Sequence, residues 1–168
     1  AYISNVADWL EQNNASSAKP RILIYDASPR SASAQGVVGK NIIAALERQG
    51  FPIRVADRQE LPQLSDSQLE AYSQVWLLFG NTAQHLSESE LSAVGAMVKG
   101  GRSMLIVTGP QADAPWDPAA ANRLASRFGV EFSGTVKNRE ELPATTGSYF
   151  LQRTSALLGK VLKFFRKA

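Results

Sequence analysis

Cysteine is absent from all 168 residues. That excludes disulfides, thiolate nucleophiles and every zinc site with a cysteine ligand, and it leaves the redox compartment open. His85 is the only histidine. A His-rich metal centre is excluded with it, and so is a Ser-His-Asp arrangement on any other histidine. No apolar run reaches the roughly 18–20 residues that a membrane-spanning helix needs. The dinucleotide fingerprint is also missing, because Gly36 and Gly39 do not have Gly-x-Gly-x-x-Gly spacing.

What is present is ordinary globular material. Hydrophobic residues make up 44% and charged residues 20%, which argues for a packed core rather than disorder. The length suits one soluble domain and leaves little room for a second. The formal net charge of +3 is unevenly placed. Residues 148–168 hold Arg153, Lys160, Lys163, Arg166 and Lys167 with no acid, while the rest of the chain has 13 basic and 15 acidic side chains. The body is therefore near neutral and the tail basic, and no nucleic-acid surface is expected on the body.

The pattern along the chain alternates. Ile3, Val6, Trp9 and Leu10 have helical spacing in residues 1–12, and a polar stretch closed by Pro20 follows, so residues 1–19 read as a helix and linker. Arg21–Tyr25 is a short apolar run, the mark of a strand buried on both faces. A helix is expected from about Gln35 to Gln49, stopped by Gly50, and then a strand at Phe51–Val55 with Pro52 at an edge or start position. Ser65 with Gln68, and Ser87 with Glu90, have capping-box spacing and open two further helices. Strands are expected at Val75–Phe79 and Ser103–Thr108, a helix after Asp117-Pro118, and a short final strand at Val130–Val136. This order predicts an α/β fold, a three-layer sandwich with a mostly parallel central sheet, spanning residues 20–147. Ligands of such sheets bind beyond the carboxyl ends of the strands, which directs attention to the loops 26–36, 80–87 and 109–117.

Two family resemblances rest on particular residues. The stretch Tyr72–Gly80, then Leu86–Leu91, then Val98-Lys-Gly-Gly-Arg102 with Met104–Val107, and finally Asn122–Val130, resembles the class I glutamine-amidotransferase-like domains. The likeness is to their non-enzymatic branch in envelope and transport-associated proteins, and it covers roughly residues 20–136. It implies a flavodoxin-like, amidotransferase-like architecture. The enzymes of that superfamily use a cysteine on a tight turn after a strand; the corresponding turn here is Thr108-Gly109-Pro110. Their histidine lies late in the chain, and His85 does not map onto it. The resemblance thus implies the fold without glutaminase chemistry.

The second resemblance lies in Ile24-Tyr-Asp-Ala-Ser-Pro-Arg-Ser-Ala-Ser33, which is similar to the phosphate loop of flavodoxin-like FMN reductases. Ser28, Arg30, Ser31 and Ser33 ahead of a helix suit a phosphate, because hydroxyls, a guanidinium and free amides are all donors. The flavin-facing loop of those enzymes carries an aromatic ring, whereas Gly80–Leu86 has none. A polar connection that merely caps the helix is the competing account of these residues.

Other single residues admit plain readings. His85 suits a solvated loop, Asp26 suits helix capping at the end of the first strand, and Trp116 suits a loop anchor. The tail is more distinctive. Phe150, Leu151, Leu157, Leu158, Val161, Leu162, Phe164 and Phe165 form an apolar face with cations between them. Such a basic amphipathic helix over residues 148–168 suits packing on the domain's own sheet, docking to a protein partner, or an anionic membrane surface. Arg153, Lys160, Lys163, Phe164, Phe165, Arg166 and Lys167 are its candidate contact residues. The expectation from sequence is a non-catalytic binding or assembly module without a cofactor, the alternative being an FMN or nucleotide binder; neither compartment nor oligomeric state is assigned, and an envelope-associated or membrane-peripheral setting fits the tail.

Overall fold

A computed structural model of the chain describes residues 2–15, 19–27, 40–80, 85–108 and 117–133. The chain divides into two compact units, Ile3–Val136 and a second made of residues 1–2 and 137–168. The first unit carries the sheet.

Its elements in chain order are α1 (Tyr2–Gln12), β1 (Ile22–Asp26), α2 (Lys40–Arg48), β2 (Ile53–Asp57), α3 (Asp66–Leu69), β3 (Gln74–Phe79), α4 (Glu88–Lys99), β4 (Ser103–Thr108) and α5 (Ala119–Ala125), with a 3-10 turn at Ser126–Phe128. The four strands form one all-parallel sheet in the order β2-β1-β3-β4. The α/β architecture read from the alternating pattern is the one observed.

The two faces of the sheet carry separate cores. On one face Ile22, Ile24 and Trp76 meet Ala7 and Leu10 of α1 and Leu46 of α2. On the other, Leu23, Tyr25, Val75 and Leu77 meet Leu69, Leu91, Val94 and Met97, with Ala121 and Leu124 of α5. Period-two alternation of strand side chains explains the split: even positions of β1 face α1 and α2, and odd positions face α3 to α5. Helices on both faces leave β1 and most of β3 buried, as their apolar runs require.

The helix ends follow local chemistry. At Ser87 the capping box is reciprocal: Glu90 N–H donates to Ser87 Oγ at 3.3 Å, and Ser87 N–H donates to Glu90 Oε2 at 2.8 Å. At Ser65 the Gln68 side chain closes the turn, its Oε1 accepting from Ser65 N–H at 3.0 Å. Asp117 Oδ1 accepts from Ala119 N–H at 2.9 Å and opens α5. Gly50 ends α2 with φ of +87°, a left-handed value that favours glycine.

Two expectations need correction. The second strand lies at 53–57 rather than 51–55. Phe51 N–H is spent on Leu46 O at 3.2 Å, closing α2, and Pro52 has no N–H, so the ladder starts at Ile53. Val130–Ser133 form no strand. Their alternation is satisfied differently: Phe132 packs against the core, its N–H donates to Asn122 Oδ1 at 2.7 Å, and its carbonyl accepts from Asn122 Nδ2 at 2.8 Å.

Helix α1 is joined to the sheet by polar as well as apolar contacts. Gln74 Nε2 donates to Ala7 O and to Glu11 Oε2, both at 2.9 Å, and Trp76 Nε1 donates to Gln74 Oε1 at 3.2 Å. Ser73 Oγ donates to Glu11 Oε2 at 2.9 Å, and Ser103 Oγ to Leu10 O at 2.7 Å. These bonds satisfy a fully buried glutamine that would otherwise be costly at a strand start.

Candidate functional site

The strand order places the topological switch point between β1 and β3. β1 connects outward to β2 on one side, while β3 and β4 extend the sheet on the other. Ligands of open parallel sheets bind at this position, outside the carboxyl ends of the strands. The described rim consists of Asp26 and Ala27 after β1, Asp57 and Arg58 after β2, Phe79 and Gly80 after β3, Thr108 at the end of β4, and His85 with Leu86 before α4.

Asp26 and Asp57 are register partners on adjacent strands and both are buried, Asp26 to 2% exposure. Asp57 is committed to the chain itself. Its Oδ1 accepts from Gln59 N–H at 2.8 Å and Glu60 N–H at 3.0 Å, holding the turn that leaves β2.

Arg58 is the centre of a larger group. Its Nη1 donates to Glu90 Oε1 at 2.7 Å and to Pro62 O at 3.0 Å, and its Nη2 reaches His85 O at 3.5 Å. The guanidinium carbon stands 5.7 Å from the centre of the Tyr25 ring. Nε is buried and has no hydrogen-bond partner among the described residues. Glu90 also accepts from Leu64 N–H at 3.1 Å. Burial pushes the Glu90 carboxyl up, but the bonds from Ser87, Leu64 and Arg58 outweigh it and hold the group below the usual carboxylate value. Tyr25 moves the other way. Burial, against the opposing charge of Arg58, raises its phenol to about 12, so it stays protonated and donates to Leu61 O at 3.0 Å.

The polar groups surrounding Arg58 are thus consumed in holding the β2–α3 connection to the start of α4. His85 is exposed, with its carbonyl engaged by Arg58. Among the described residues no cluster of three or more His, Asp or Glu side chains is placed to hold a metal ion. A shallow cavity of about 260 Å³ lies elsewhere, near the amino ends of the strands, between Asp66, Leu69 and Glu70 on one side and Met97 with Arg102 on the other.

Of the residues singled out from sequence, Asp26 and His85 fall at the rim. Ser28, Arg30, Ser31 and Ser33 lie outside the described residues, as do Trp116, Gly109 and Pro110. The same holds for Arg153, Lys160, Lys163, Phe164, Phe165, Arg166 and Lys167. Sequence reasoning misses the Arg58–Glu90 pair. Its one sequence signal is Glu90 at the third position of a capping box, which accounts for one carboxylate oxygen and says nothing of the arginine 32 residues away. No family model, no curated protein and no solved structure matches the chain.

Proposed function

We propose that this chain is a non-catalytic binding or assembly module of amidotransferase-like, flavodoxin-like architecture, acting through protein or membrane-surface contacts. The observation that carries the reading is the use of the rim. Asp57, Arg58, Glu90 and Tyr25, the groups best suited by type to acid, base or anion-binding work, are all engaged in holding the fold together. The absence of cysteine removes the nucleophile of the amidotransferases. The basic tail supplies a contact element, with Arg153, Lys160, Lys163, Phe164, Phe165, Arg166 and Lys167 as its contact residues. Two assays test this. Glutamine hydrolysis that persists through repurification would overturn the non-catalytic part. Flotation with phosphatidylglycerol vesicles, comparing the chain with a Lys160→Glu, Lys163→Glu, Lys167→Glu variant, separates a membrane contact, which the variant would lose, from a protein contact, which needs no vesicle.

A second reading is favoured by one feature: β1 ends, at Asp26 and Ala27, beside the switch point of the sheet. In this reading the chain binds FMN through Ser28, Arg30, Ser31 and Ser33. Titration calorimetry with FMN decides it, with Arg30→Ala weakening binding roughly tenfold or more. No heat and no shift in melting temperature would remove it.

A further inference from the structure

The shallow cavity of about 260 Å³ between α3 and α4 is walled by charged side chains whose bonding capacity the fold does not use up. Its floor is apolar, formed by the buried Leu69, Ala93 and Met97. Asp66 and Glu70 stand on one side. Glu70 continues the helical backbone of α3, with φ of −55° and ψ of −29°, and its N–H donates to Asp66 O at 2.9 Å. The two carboxylates are thus one helical turn apart on a single face. Both residues are exposed, and neither carboxylate has a hydrogen bond or an ion pair among the described residues.

Arg102 forms the other side. Its Nη1 donates to Leu69 O at 3.0 Å, which holds the guanidinium against the end of α3. Its Nε and Nη2 have no acceptor among the described residues, and no ion pair joins it to Asp66 or Glu70. Each of these features selects something in an occupant. The cavity is smaller than the roughly 300–1,000 Å³ of pockets that enclose a whole small molecule, so its size suits one side chain. Two carboxylates against one guanidinium select a cation. The apolar floor selects a cation carried on an alkyl stem, since a bare metal ion gains nothing from Leu69 and Met97, whereas the stems of lysine and arginine cover such surface well. The unused Arg102 donors ask for an acceptor beside that cation.

From this we infer that the cavity receives a lysine or arginine side chain from an extended segment of a partner protein. The cation lies between Asp66 and Glu70, its stem rests on Leu69 and Met97, and a main-chain carbonyl of the same segment accepts from Arg102. A free amine has the cation but lacks the carbonyl, which is why a polypeptide is the better match. The site uses no residue of the carboxyl-end rim and none of residues 148–168. It therefore goes beyond the function proposed above and does not rest on it.

The test is titration of the full chain with the blocked peptide acetyl-Ala-Ala-Arg-Ala-Ala-amide, followed by amide NMR. The expected result is saturable shifts in the millimolar range, confined to residues 66–70, 93–97 and 102 and weakened by salt. The same peptide with glutamine in place of arginine should produce none. Asp66→Asn combined with Glu70→Gln should weaken binding about fivefold or more while leaving the melting temperature unchanged, because both side chains are exposed. Ala96→Lys provides a second variant. It sets a cation of the chain's own at an exposed position of the cavity wall and should block the peptide without disturbing the core. Shifts that scatter over the surface or never saturate would overturn the inference, as would equal binding of the glutamine peptide or undiminished binding by the Asp66→Asn, Glu70→Gln chain. Agmatine, the free amine with the arginine head group, should bind more weakly than the peptide; equal affinity would overturn the assignment of a polypeptide occupant.

Discussion

Arg58 and Glu90 form a salt bridge at 2.7 Å in which the arginine side chain is 13% exposed and the glutamate 2%. The pair joins the turn after β2 to the first turn of α4, two connections that cross the carboxyl end of the sheet. Removing one partner of a buried pair is costly because the other is left charged and desolvated. Glu90→Ala is therefore expected to destabilise the fold by about 3 kcal/mol. Glu90→Gln keeps an acceptor for Leu64 N–H and should cost less, about 1–2 kcal/mol. Urea unfolding at neutral pH measures both; equal stability of Glu90→Ala and wild type would show that the bridge holds nothing.

The same carboxylate sets an acid dependence with a definite sign. Its folded value is depressed below the unfolded one. Its contribution is therefore fully present above the unfolded value of about 4.3 and is lost as pH falls through the folded value. The stability gap between wild type and Glu90→Gln should hold from neutral pH down to about 5 and narrow below about 4. A gap that stays constant to pH 3 would assign the lost stability to packing instead.

Tyr25 sets the alkaline limb. Its phenol is raised from 10.0 to about 12, so between those values the folded state holds a proton that the unfolded state has released. Stability from this group is full below about pH 10 and falls as pH rises toward 12. Tyr25→Phe should cost about 1 kcal/mol at pH 8, through the lost bond to Leu61 O, and should flatten the decline above pH 10. Denaturation curves at pH 8, 9.5 and 10.5 would reveal whether the slope changes.

At the opposite end of the sheet Gln74 joins α1 to β3 and also accepts from the Trp76 indole. Gln74→Met fills nearly the same volume but leaves the Trp76 N–H without its acceptor and removes one donor each from Glu11 Oε2 and Ala7 O. A loss of about 1–3 kcal/mol is expected. Tryptophan fluorescence during unfolding reports it directly, and an unchanged midpoint would mean that water replaces the amide.

The contrast between these groups explains what a linear reading reaches. The buried strands are legible because β1 and β3 are apolar on both faces, a demand that acts within five or six residues. The capping serines at 65 and 87 are legible for the same reason. β2 starts two residues later than its pattern suggests because the fate of Phe51 N–H is decided by Leu46 O in the preceding helix. Val130–Ser133 alternates like a strand, yet Asn122 supplies both hydrogen bonds of Phe132 from a helix. The rim is the least legible part. Arg58 and Glu90 are 32 residues apart, and they meet because the parallel order of the strands delivers the end of β2 and the start of α4 to the same end of the sheet. Gln74 looks like the polar edge of an apolar run; its burial depends on α1, more than sixty residues earlier.

Residues 148–168 are expected to be dispensable for folding and required for contact. Both cores among the described residues are built from side chains between Ile3 and Phe132, on a sheet with helices on each face. A tail serving as a contact handle adds nothing to those cores. Truncation after Gly147 should then leave the melting temperature within a few degrees, a change of under about 1 kcal/mol for a domain of this size. Binding to the partner or to anionic vesicles should be lost with the five cations and the Phe164–Phe165 pair. The competing account gives the opposite result. If Leu157, Leu158, Val161 and Leu162 were core, each would contribute on the order of 1.5–3 kcal/mol when buried, and removing them would consume most of a total stability of about 5–15 kcal/mol. Differential scanning calorimetry of the truncated chain separates the two. A truncated protein that fails to fold would place residues 148–168 in the core and end the handle reading.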